Sequence, residues 1–252
     1  MVKYISIPNQ LIIYYIYYIM YLSYICSLEC SFSWYDSETL SNLPNPERGD
    51  NRTASGFDRV SKSEKSVRAL LPGLTENIRL IVTIIDRELG VAGGVSGRAE
   101  THNPGEVIIE ISNVFPGGVK EAVKTSLAAT VFHELHHIYR GWAIRDNKFG
   151  RGISIAMVNE GLAVAFSEIY TGTIVDGNSY TDDADDWVKE IILLPVDADY
   201  AKWVMGEHPD GRTSIAYRAG NYLIHEVMAK TDKDILELSE LSPDEIIKLG
   251  GY

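Results

Sequence analysis

The chain has 252 residues, with 35 Asp or Glu against 23 Lys or Arg, a net charge of −12 and a pI near 4.9. That balance excludes nucleic acid or an anionic membrane surface as the main partner, since both carry the same sign of charge. The two cysteines, Cys26 and Cys30, lie in or beside an N-terminal apolar segment, so the rest of the chain has neither thiol chemistry nor a disulfide.

Residues Leu11 to Leu28 carry no charge, with Lys3 before them and Glu29, Asp36 and Glu38 after. The pattern predicts a signal peptide or signal anchor over residues 1–33, which would place the rest of the chain outside the cytoplasm and, if retained, tether it to a membrane. The segment is almost wholly Tyr, Ile, Leu and Ser. A misplaced start, with the true one at Met20 or later, is therefore the alternative, and it implies a cytoplasmic protein. Residues 34–62 are polar and turn-rich and read as a linker. Residues 63–252 then form one domain with ample length for a core.

Within that domain Lys65 to Leu71 reads as a short helix ended by Pro72-Gly73. Ile78 to Ile85 and Glu106 to Ser112 are rich in β-branched residues and read as strands. Between them Leu89 to Glu100 is Gly-rich and reads as a loop or hairpin; it lacks the lysine of a phosphate loop. The second strand runs into Pro116-Gly117-Gly118, and a strand near the site that follows, if it had an open edge, could accept an extended peptide as one more strand.

From Val119 to Arg140 apolar residues recur at steps of three or four, which predicts one helix capped by Gly141. Near its end stand His133, Glu134 and His137, the pattern H-E-x-x-H. Four residues apart on a helix, the two imidazoles share a face and can meet one Zn²⁺. Glu134 is then placed to take a proton from a water at the metal. Three of the six histidines fall between residues 133 and 137, and the helix is apolar on a second side. Buried histidines need partners for their ring nitrogens, and zinc supplies one. His136 points elsewhere and reads as packing or a surface hydrogen bond.

A catalytic zinc usually takes three protein ligands and leaves a position for water. The extended pattern with a third histidine fails, because Arg140 and Ala143 occupy its Gly and His places. Glu160 is the choice instead. It lies on a predicted helix from Ser154 to Gly172 that is apolar all round, with small neighbours Ala156, Ala163 and Ser167 on its side. His102, His208 and His225 have no spacing that argues for them.

Further on, Thr181 and the acids after it predict a capped helix start leading into Trp187–Leu194, stopped by Pro195. Ser214 to Lys230 reads as a helix carrying Tyr217, Arg218, Tyr222 and His225, and Glu237 to Leu249 as a last helix broken at Ser242-Pro243. Attack on a carbonyl creates an oxyanion that usually needs a second donor across the cleft. Tyr217, near a helix start, ranks first for that role and His225 second.

H-E-L-H-H at His133–His137 followed by N-E-G-L-A at Asn159–Ala163 resembles the gluzincin class of zinc peptidases. More closely the chain resembles the predicted Zn-dependent protease family of domain of unknown function 2268. The shared pieces include the Gly-rich stretch Gly93–Gly97, the run Tyr217–Ile224 and the pattern Ser242–Ile246. The resemblance runs from about Ser63 to the end. It implies an α+β, zincin-like fold, with a small sheet and an active-site helix above a cleft and a helical C-terminal part below. The activity expected is zinc-dependent hydrolysis of a peptide or protein substrate. A zinc-binding protein without turnover and a zinc hydrolase of a non-peptide amide are the alternatives.

Overall fold

The computed structural model describes residues 51–252, which belong to one compact unit. The expected export segment lies outside the described residues. Helix α1 (Asn51–Leu70) leads to strand β1 (Ile78–Ile85), β2 (Val95–His102) and β3 (Gly105–Ser112). Seven helices follow: α2 (Gly118–Thr125), α3 (Leu127–Arg140), α4 (Ile153–Thr171), α5 (Ala184–Ile192), α6 (Ile215–Thr231), α7 (Ile235–Ser239) and α8 (Pro243–Gly250). The chain is thus α+β, with a small sheet ahead of a helical C-terminal part.

The sheet order is β1-β3-β2, with β1 parallel and β2 antiparallel to the central β3. On β3 Val107, Ile109 and Ile111 alternate inward, so one face of the sheet is buried while β2 is left at an edge. Helix α3 packs along β2 and β3, and α4 lies beyond it. Helix α4 is long and apolar enough to cross a membrane, yet it is buried on nearly every side, from Ala156 through Ser167. An all-round apolar helix of this kind is the centre of a core. Its closest companion is α6.

Four local readings need correction. The first helix begins at Asn51 rather than Lys65, inside the stretch read as linker, because Val60, Ser63, Val67 and Leu71 make one buried stripe. The long helix expected from Val119 to Arg140 is two helices. At Ser126 the backbone leaves helical geometry, and its hydroxyl donates to the Gly93 carbonyl at 2.8 Å. Ser154 does not cap α4; Gly152 holds that position without a side-chain cap. Asp183 rather than Thr181 is the N-cap of α5. The Gly141 and Gly172 caps stand as expected, both left-handed at φ 75° and 68°.

Candidate metal centre

Helix α3 presents His133 and His137 on one face, one turn apart, and α4 crosses behind them with Glu160. His133 Nε2 lies 2.9 Å from His137 Nε2, and Glu160 Oε2 lies 3.2 Å from the first and 3.1 Å from the second. Among the described residues this is the one group of three ligand-type side chains gathered within 4.8 Å. Ligand atoms about 2.05 Å from a tetrahedral zinc stand roughly 3.3 Å apart, so the triangle has nearly the dimensions that ion needs. Two imidazole nitrogens turned towards one another need a proton or a cation between them, and a carboxylate closes the third side. The donor set and its size fit zinc.

Burial alone would push the Glu160 carboxyl up. The charges and hydrogen bonds of His137 and His133 outweigh it and hold Glu160 well below the usual carboxylate range. Its other oxygen accepts a long hydrogen bond, 3.4 Å, from the indole of Trp142, just past the Gly141 cap. Trp142 was not legible as a site residue in the sequence.

Glu134 is not part of that triangle. It is buried against β2, where Gly97 leaves its seat: a Cβ at residue 97 would stand 2.5 Å from Glu134 Cγ. Burial pushes the Glu134 carboxyl up to about 7, with His133 opposing, the Glu160 charge adding, and the Ala99 N–H and Arg98 opposing. A carboxyl poised there can exchange a proton near neutral pH.

His133 and Glu134 open onto a cleft of about 180 Å³ whose lining also includes Ser96, Gly97, Ser214 and Tyr217. Tyr217 faces His133 with nearly parallel rings, centroids 6.1 Å apart. Burial first, then Glu160, Tyr200 and Glu134, hold its phenol well above its ordinary value, so it stays a donor. His225 does not join it. It lies beside Tyr180, 6.0 Å between ring centroids, with Nε2 3.8 Å from Glu168, and is not among the residues lining the cleft. The neighbouring positions of α6 hold the cleft wall in place: Arg218 and Asn221 donate to the carbonyls of Ser179 and Asn178, in the loop that walls the cleft.

The remaining histidines lie elsewhere. His102 pairs with Asp146, His208 with Asp210, and His136 bonds Ser239 Oγ at 2.8 Å in the core.

A model of the family described as predicted Zn-dependent protease (DUF2268) matches residues 104–248. The chain belongs to this family. The match holds His133, Glu134, His137, Glu160 and Tyr217, and it leaves the Gly-rich stretch Gly93–Gly97 outside. It is therefore shorter than the resemblance read from about Ser63 onward. Comparison with curated proteins and with solved structures gave no match. For a DUF2268 chain the name and the His-His-Glu triangle agree on zinc, and the name on a protease.

Proposed function

We propose that the chain is a gluzincin-type peptidase in which His133, His137 and Glu160 hold zinc and Glu134 is the general base. The observation that carries this is the convergence of two imidazole nitrogens and one carboxylate oxygen beside a second carboxyl, Glu134, that stands clear of them. Zinc, when bound, supplies Lewis acidity, polarising a carbonyl and lowering the pKa of a water towards about 7. Glu134 takes the proton of the attacking water and delivers it to the leaving nitrogen. Tyr217 donates to the oxygen on which negative charge develops. A site that served only to hold the fold would need no buried acid at the cleft, which disfavours the reading without turnover.

The edge strand favours a peptide over a small amide. The Ser112 N–H bonds the Gly94 carbonyl, so the register alternates, and Val95, Gly97 and Ala99 turn their N–H and C=O groups away from β3. Ala99 uses its outward groups on Glu134 and on the Ile144 N–H. Gly97, in the cleft lining, has its outward groups directed at the space a substrate would fill. An extended main chain can bond there, which a small amide cannot do along its length.

The test is metal analysis of the purified protein together with digestion of a random peptide library. One zinc per chain and peptide cleavage abolished by Glu134→Gln, with zinc retained, are expected. Zinc without cleavage of any peptide would favour the non-catalytic reading, and turnover of small amides alone the non-peptide one.

A further inference from the structure

Arg140 follows His137 by three residues on α3, and Asn159 immediately precedes Glu160 on α4. Both are buried. The Arg140 guanidinium forks onto one atom of Asn159, with Nε 3.2 Å and Nη2 3.1 Å from Oδ1. Because guanidinium only donates, that oxygen is fixed as the acceptor, and Asn159 Nδ2 donates to the Ile155 carbonyl at 2.9 Å. The amide is therefore committed at both ends. Arg140 Nη1 also donates to the carbonyls of Ser239 and Leu241, each at 2.6 Å, and the Phe149 ring covers the guanidinium at 4.7 Å. The side chain of Arg140 is thereby held from four directions.

We propose that Arg140 and Asn159 are positioning residues, a latch that fixes Glu160 relative to His133 and His137. The inference rests on the metal-centre reading above. The two helices that carry the ligands are tied one residue from Glu160 and three from His137. A slide or turn of α4 against α3 breaks both N–H···O bonds at once, and the same movement carries the Glu160 carboxylate away from the imidazoles. Outer partners of this kind set ligand orientation without touching the metal. The anchoring of Arg140 on Ser239 and Leu241 makes the C-terminal segment part of that support.

The test measures zinc affinity of the whole protein by competition with a chromophoric chelator, and the absorption spectrum of its cobalt(II) form. Near-UV circular dichroism and thermal unfolding of the metal-free protein report the fold. Asn159→Leu is expected to weaken zinc binding by about 10–100-fold and to alter the cobalt spectrum. Arg140→Lys, which keeps the charge but cannot fork, should do the same. Asn159→Asp keeps an acceptor for Arg140 and loses only the donor to the Ile155 carbonyl, so it should weaken zinc binding less than Asn159→Leu does. Folded Asn159→Leu and Arg140→Lys proteins with unchanged affinity and spectrum would overturn the latch alone. If Asn159→Leu does not fold, Arg140→Lys decides; if neither folds, the pair serves the fold rather than the metal, and the latch is overturned. A wild type that binds no zinc removes the metal centre itself, a different failure.

Discussion

Gly161 on α4 and Gly220 on α6 meet backbone to backbone. A Cβ on Gly220 would stand 2.0 Å from the Met157 carbonyl oxygen, and one on Gly161 would stand 2.3 Å from the carbonyl carbon of Gly220. Glu160 and Tyr217 flank this crossing, so the closeness of the two helices is what brings a ligand-type carboxylate and a phenol together. Gly220→Ala must part the helices, because only backbone atoms stand in the way. It should cost about 2–3 kcal/mol despite the better helix propensity of alanine. Gly56 on α1 has nothing within 4 Å of its notional Cβ, and Gly56→Ala should stabilise by about 0.5–1 kcal/mol. Urea unfolding of both variants checks the contrast; equal effects would mean the crossing is not tight.

The seat of Glu134 gives a second prediction. In Gly97→Ala the new methyl meets the Glu134 carboxylate, 2.6 Å from Oε1, while leaving the three ligand-type residues alone. Displacing a reacting group by about 1 Å can cost roughly 10²-fold in rate. Turnover should fall by about that factor with zinc content unchanged. Loss of zinc together with activity would place the damage at the ligands instead.

The parts of this site legible in the sequence are those fixed by spacing along one helix. His133 and His137 share a face of α3 whatever surrounds it, and Glu160 stood out as an acid set among apolar neighbours on α4. Gly97 was hidden in a stretch that reads as loop or hairpin, since glycines do not announce an edge strand. Trp142, Arg140 and Asn159 do their work through partners 18 or 19 residues away in sequence, and only the packing of α3 on α4 reveals them. The break at Ser126 has the same origin, a hydrogen bond to Gly93 across 33 residues. Helical periodicity put Arg218, Tyr222 and His225 on one side of α6, but it could not say which side the cleft was on.

His136 links the fold to pH. Ser239 Oγ donates its one proton to the Ile235 carbonyl at 2.7 Å, so it must accept from His136 Nε2–H. The other ring nitrogen, Nδ1, is buried with no hydrogen-bond partner among the described residues. Burial above all, then the charges of Arg140, His137 and His133, hold His136 well below its ordinary value, and it stays neutral when folded. The unfolded chain takes up a proton near pH 6.5 that the native one refuses, so stability is full above that pH and falls below it. The slope approaches about 1.4 kcal/mol per pH unit from this residue. His136→Asn, which keeps a donor for Ser239, should lose that part of the slope when urea unfolding is followed from pH 7.5 to 5.5. Identical slopes in the two proteins would show that His136 is protonated in the fold.

Tyr217 and His225 began as candidates for one role, and the structure separates them. Tyr217 is in the cleft lining, ring against His133 and hydroxyl kept protonated beside Glu160, whereas His225 lies outside that lining beside Glu168 and Tyr180. Removing one donor to a developing oxyanion costs about 10²–10³ in turnover. Tyr217→Phe should therefore lower kcat by that factor with KM and zinc content little changed, because the bond forms only as charge develops. His225→Ala should keep nearly full kcat. The reverse pattern would move the donor to His225, about two turns further along α6. Near-normal kcat in both variants would leave the developing charge to be met without a tyrosine or histidine from this helix.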